Sequence, residues 1–277
     1  MILYRLREKK AKMDTRSIGI FDSGIGGLTV VKEILRQLPG ENIIYLGDTA
    51  RVPYGTRGKT VIKKFSLELA DFLLKRKVKF LVVACNTISS TCLDAIKSSS
   101  PVPVIGVIDG AVYDAVNSTK TNIVGVIGTQ ATISSGVYEK EIKKINPKIK
   151  IITQACPLFV PLAEEGKTSD KATYLIASEY LKKFKNTKID TLILGCTHYP
   201  VLKEVIQKIV GKKVKLIDSA KPTIQALKDI LQKDNLLNNS KKGKHEFFVT
   251  DALKRVSLVA KGFLGTVLNG KLKEVNL

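Results

Sequence analysis

The sequence is poor in the residues that build metal centres and disulfide frameworks. It holds two histidines, His198 and His245, and four cysteines, Cys85, Cys92, Cys156 and Cys196, none of them in a C-x-x-C pair. Cys196 and His198 are the only close pair, so a structural zinc site would have to be assembled from scattered ligands, and no metal is expected. No apolar run approaches the roughly 20 residues needed to cross a bilayer. The basic start, Met1 to Lys12, has no apolar stretch of the signal-peptide kind. The expectation is a cytoplasmic chain with reduced thiols and no membrane contact. Phosphate loops are missing too. The segment Asp22-Ser23-Gly24-Ile25-Gly26-Gly27 would need glycine at Thr29 to match a dinucleotide fingerprint, and it carries no P-loop lysine with Ser/Thr.

What is abundant is positive charge: 46 basic against 25 acidic residues, a net +21. Such a balance invites a nucleic-acid or topoisomerase-binding reading. Only eight of the 46 are arginine, however, and the lysines are spread along every helical pattern rather than gathered on one. Dispersed lysine is the usual solvated surface, and nucleic-acid binding is the disfavoured reading. A salt-titrated DNA retention assay tests it, and no retention near physiological salt excludes it.

At 277 residues and 44% hydrophobic content, the chain can bury one large core or two ordinary ones. Short β-branched runs alternate with longer segments of helical period, the pattern of parallel α/β folds. The runs 18–21, 43–46, 79–83 and 104–107 read as strands in the first half, and 123–127, 151–153, 191–194 and 214–217 in the second. Ile62, Phe65, Leu69, Phe72 and Leu73 mark the core face of one helix; Val201, Leu202, Val205, Ile206, Ile209 and Val210 mark another.

A weak repeat relates the halves. Laying Ile18-Gly19-Ile20-Phe21 on Val124-Gly125-Val126-Ile127 is an offset of 106, and laying Ala84-Cys85-Asn86-Thr87 on Gly195-Cys196-Thr197-His198 is an offset of 111. We therefore expect two similar α/β domains, with mainly parallel sheets, facing each other across an active-site cleft. The first is expected to span 17–109 plus 220–277 and the second 110–219, after a basic tail at 1–16.

Each cysteine motif follows a strand directly and opens a helix, at the end of the sheet where open α/β folds hold their ligands. A thiol there meets backbone N–H groups that favour thiolate, which a proton-abstracting sulfur requires. Cysteine is also among the most buried residue types, and for Cys92 and Cys156 that plainer reading stands. The matched settings of Cys85 and Cys196 set those two apart. The 22–27 loop suits a small carboxylate. Asp22 reads either as a helix cap or as a partner orienting a catalytic group. Pro53-Tyr54-Gly55 reads as a turn with an exposed-type tyrosine, and Glu164-Glu165-Gly166 as two acids at a turn. His198 suits a proton partner poised near neutrality.

Together these segments resemble the glutamate racemases of the aspartate/glutamate racemase superfamily, from about Ile18 to Gly265. The resemblance is carried by 21–28, by Gly47-Asp48-Thr49-Ala50-Arg51-Val52-Pro53-Tyr54-Gly55, by Ala84-Cys85-Asn86-Thr87, by Cys156-Pro157-Leu158 through Glu164-Glu165-Gly166, and by 194–200. It implies cofactor-independent interconversion of L- and D-glutamate, supplying D-glutamate for peptidoglycan, by a cytoplasmic homodimer. Cys85 and Cys196 would be the catalytic thiols, acid and base on opposite faces of the substrate, with Asp22 assisting Cys85, and His198 and Glu164 (or Glu165) beside Cys196. Substrate binding would fall to Asp22, Ser23, Tyr54, Gly55, Asn86, Thr87, Thr197 and His198. The rival within the superfamily is a racemase for aspartate or a related substrate, separated by turnover with each amino acid.

Overall fold

The computed structural model describes residues 14–264 and 272–277; most of the basic tail, residues 1–13, lies outside them. Ten strands form two sheets among the described residues. The first takes β1 (Ile18–Asp22), β2 (Ile43–Gly47), β3 (Phe80–Val83) and β4 (Val104–Gly106). The second takes β5 (Ile123–Gly128), β6 (Lys150–Ala155), β7 (Thr191–Gly195) and β8 (Lys215–Asp218). The chain then returns to the first sheet with β9 (His245–Val249) and β10 (Leu272–Glu274). All pairings are parallel.

The sheet orders explain the weak repeat. The first runs β10-β9-β2-β1-β3-β4 and the second β6-β5-β7-β8. Without the two returning strands, the orders are the same, and Gly19 beside Ile44 and Leu81 corresponds to Gly125 beside Ile152 and Leu192. The central strands read as continuous apolar runs because helices cover both faces of each sheet. On the first sheet, Leu28–Gln37 and Ala220–Lys233 pack one face and Lys59–Leu74 the other. On the second, Lys171–Leu181 and Lys203–Val210 cover one face, and Ile108–Ser118 and Val137–Ile145 the other.

All eight strands expected from the sequence are present, with ends moved by a residue or two. The helical stretch after Cys85 is interrupted at Cys92: Asn86–Thr91 ends and Leu93–Ser99 begins there, where φ is −145° and not helical. Among the described residues, no helix is long and apolar enough to cross a membrane.

In each sheet the chain leaves the central strand (β1 or β5) to one neighbour and returns on its other side (β3 or β7). The crevice at the carboxyl ends of that central pair is where such sheets place ligands. Both cysteine motifs begin there.

Candidate active site

Cys85 follows β3 by one residue and caps the short helix Asn86–Thr91; Cys196 follows β7 directly. After Cys196 comes a 3-10 turn, Tyr199–Leu202, before the helix Lys203–Val210, so the second motif opens its helix less directly than the sequence suggested. The two thiols share one cavity of about 20 Å³, room for about a single water. Its walls are Ser23, Val52, Pro53, Tyr54, Gly55, Cys85, Asn86 and Thr87 from the first half, with Thr129, Val160, Cys196, Thr197 and His198 from the second.

Most expected site residues meet here. Asp22 and Glu164 do not line the cavity; each stands behind a wall residue. Asp22 is fully buried, and its Oδ2 accepts from the Gly24 and Gly27 amides at 3.3 and 2.9 Å, which shapes the loop. Its Oδ1 is buried with no partner among the described residues. Glu164 Oε1 lies 3.1 Å from His198 Nε2, so it is Glu164 that makes the bond the sequence left open between it and Glu165. Glu164 and Glu165 also line a larger depression of about 940 Å³ on the outer side of this pair, together with Phe263, whose ring stands edge-on to His198.

The two thiols differ electrostatically. Burial pushes the Cys85 thiol well up, and the Asp22 carboxylate pushes it further. The Ser23 hydroxyl, 3.4 Å from Sγ, and the Ile88 amide pull the other way and lose. The thiolate expected from the helix terminus is therefore not the resting form of Cys85, because removing a sulfur from water costs more than one helix end returns. At Cys196 the partner is His198, whose Nδ1 lies 3.8 Å from Sγ. Burial alone would lower the His198 pKa, but the hydrogen bonds to Cys196 and Glu164 outweigh it and raise it to about 10. At neutral pH the imidazole is a cation lying between Glu164 Oε1 and Cys196 Sγ.

Tyr54 differs from expectation. It is buried rather than exposed, because its hydroxyl donates to Asp48, which also holds Arg51 at 2.6 Å and the Thr250 hydroxyl at 2.9 Å. The Pro53-Tyr54-Gly55 turn is thus pinned to β9's end and presented to the cavity. Two glycines let the halves close. A Cβ on Gly26 would overlap Thr197 Oγ1 and lie 2.6 Å from His198 Nδ1, and one on Gly55 would overlap Thr129.

Thr129 was not singled out from the sequence. It follows β5 as Ser23 follows β1, 106 positions earlier, and its Oγ1 lies 2.9 Å from that of Thr87. The repeat is the signal that could have found it.

The sequence and fold are shared with known proteins. The family model described as Asp/Glu/Hydantoin racemase matches residues 18–227. A glutamate racemase of Geobacter metallireducens is 49% identical over 264 residues, 95% of this chain and 96% of that protein. The crystal structure of glutamate racemase from Francisella tularensis subsp. tularensis SCHU S4 in complex with D-glutamate superposes with a TM-score of 0.89 at 44% identity, over 95% of this chain and 98% of that one. Glutamate racemase isoform RacE1 from Bacillus anthracis superposes with a TM-score of 0.91 at 39% identity, over 95% and 98%.

Proposed function

The chain belongs to the Asp/Glu/Hydantoin racemase family and, within it, to the glutamate racemases, and from that premise we propose that it inverts the α-carbon of glutamate by carrying protons on Cys85 and Cys196. The observation that carries the mechanism is that one thiol from each half faces the same small cavity.

The thiolate of one cysteine removes the α-proton and becomes a thiol, leaving the electron pair on the α-carbon and its carboxylate. The opposite thiol then delivers its proton to the other face and becomes a thiolate. Every turnover exchanges the protonation states of the two sulfurs, so product release leaves a site ready for the reverse direction. At rest the two sides differ: burial and Asp22 hold Cys85 as a thiol, while an imidazolium stands beside Cys196. Asp22, whose charge already acts on Cys85, takes up the Cys85 proton when that sulfur must serve as base. His198, a cation steadied by Glu164, does the converse for Cys196, donating a proton to that sulfur when it must serve as acid.

Ser23, Thr87 and Thr197 supply hydroxyls, and Tyr54 and Gly55 supply the turn that closes over the substrate. Hydrogen-bond donors fixed in a water-poor cleft stabilise charge that develops on the substrate carboxylate in the transition state. Glutamate is far larger than the cavity, so the halves must part to admit it and close for chemistry. The reading extends to a cytoplasmic homodimer whose D-glutamate serves peptidoglycan synthesis.

The test is turnover of L-glutamate and, in parallel, L-aspartate by purified protein treated with chelator and free of pyridoxal phosphate, followed by loss of optical activity. Loss with glutamate alone supports the reading. Loss with aspartate alone, or with neither, overturns it.

A further inference from the structure

Asn86 is locked from the opposite half of the molecule. Its side-chain amide donates to Tyr138 Oη at 2.8 Å and to Ser219 Oγ at 3.0 Å, which uses both of its N–H groups. Tyr138 stands on the helix Val137–Ile145, and Ser219 precedes the helix Ala220–Lys233. Burial keeps the phenol of Tyr138 protonated, and its ring lies against Gly195, the residue before Cys196. Neither residue lines the cavity, whereas Asn86 does.

The consequence falls on the other end of the carboxamide. Asn86 Oδ1 is buried and has no partner among the described residues. A buried acceptor left unpaired costs free energy that a bound group can recover. Of the three charged groups on glutamate, the two carboxylates only accept hydrogen bonds; the α-ammonium is the one donor. A carboxamide free to rotate would present N–H to the cavity half of the time and repel that ammonium.

We propose that Tyr138 and Ser219 are positioning residues that hold the Asn86 carboxamide with Oδ1 toward the substrate's α-ammonium, so that the site selects an α-amino dicarboxylate over a dicarboxylate of the same length without the amine. The inference rests on the racemase reading and deepens it. Because the lock spans the two halves, it forms only in the closed molecule, and recognition of the ammonium is tied to closure.

The experiment measures KM and kcat for L- and D-glutamate, and competitive inhibition by glutarate, for the parent, Tyr138→Phe and Ser219→Ala. The expected result for Tyr138→Phe is a KM raised by about tenfold in both directions, the loss of roughly one well-made hydrogen bond. The kcat falls less, and glutarate inhibition stays within about twofold of the parent. Ser219→Ala moves the same way by a smaller factor, and it carries the test alone should Tyr138→Phe fail to fold. Equal weakening of glutamate and glutarate, or no change in either, overturns the inference. Parent turnover of glutamate with unshifted variants sinks this inference alone, whereas a parent inactive on glutamate sinks the reading beneath it.

Discussion

At the scale of single residues, the two thiols occupy matched places in the chain and unmatched electrostatic surroundings. The sequence showed the match, because strand, cysteine and following polar residue recur in both halves. It could not show the difference, which depends on the charged side chain the fold sets beside each equally buried sulfur, Asp22 at Cys85 and His198 at Cys196. For the same reason Tyr54 read as exposed, since its partner Asp48 is brought to it only by the folded turn. The raised Cys85 thiol predicts that iodoacetamide alkylates Cys85 in the native protein about tenfold or more slowly than in the urea-unfolded chain, because the thiolate is the reactive form; peptide mass mapping over time checks it, and equal rates in the two states would contradict it. A second prediction concerns pH. The folded pKa of His198, raised to about 10, lies above its ordinary value of 6.5, so folding binds a proton between them. The stability from this pair is full below pH 6.5 and is lost as pH rises through about 10. Urea unfolding should show that decline in the parent and a flatter profile in His198→Gln.

At the scale of elements, the strands that were legible are those buried on both faces, where β-branched runs are unbroken. β9, which begins His245-Glu246, and β10 were not read, because both carry charged residues near the sheet edge, and β10 has only three residues. The break at Cys92 left no glycine or proline to mark it. The loops that bring the site together were legible as motifs, but their contacts across the cleft were not. Gly26 shows what those contacts demand. In Gly26→Ala the added methyl displaces Thr197 and His198, and a shift of about 1 Å in reacting groups costs about a hundredfold in rate. We expect kcat to fall by about that factor while the thermal midpoint moves by only a few degrees, measured by steady-state kinetics and circular dichroism. An unchanged kcat would show that the two loops do not pack as described.

At the scale of the whole molecule, two halves with one strand order oppose their crevices, and a third contact returns the chain end to the first half. The core of that return is an ion pair with no solvent exposure, Lys79 Nζ to Glu41 Oε2 at 2.7 Å. Lys79 also donates to the carbonyls of Asp14 and Leu236 at 2.8 and 2.6 Å, and Glu41 Oε1 accepts from the Asn238 amide at 2.7 Å. Removing one partner leaves a buried charge, so Lys79→Met should cost about 3–5 kcal/mol in urea unfolding, and adding Glu41→Gln should return part of it. Neither partner is near the thiols, so this pair tests the frame and not the chemistry. The chemistry requires that each half contribute one sulfur to one face of the substrate, and α-proton exchange in deuterated water tests that most directly. Starting from pure L- and pure D-glutamate, the parent should incorporate deuterium and racemise, while Cys85→Ser and Cys196→Ser should each lose racemisation and keep, at most, exchange from a single and opposite enantiomer. Racemisation at the parent rate in either variant would contradict the two-thiol account.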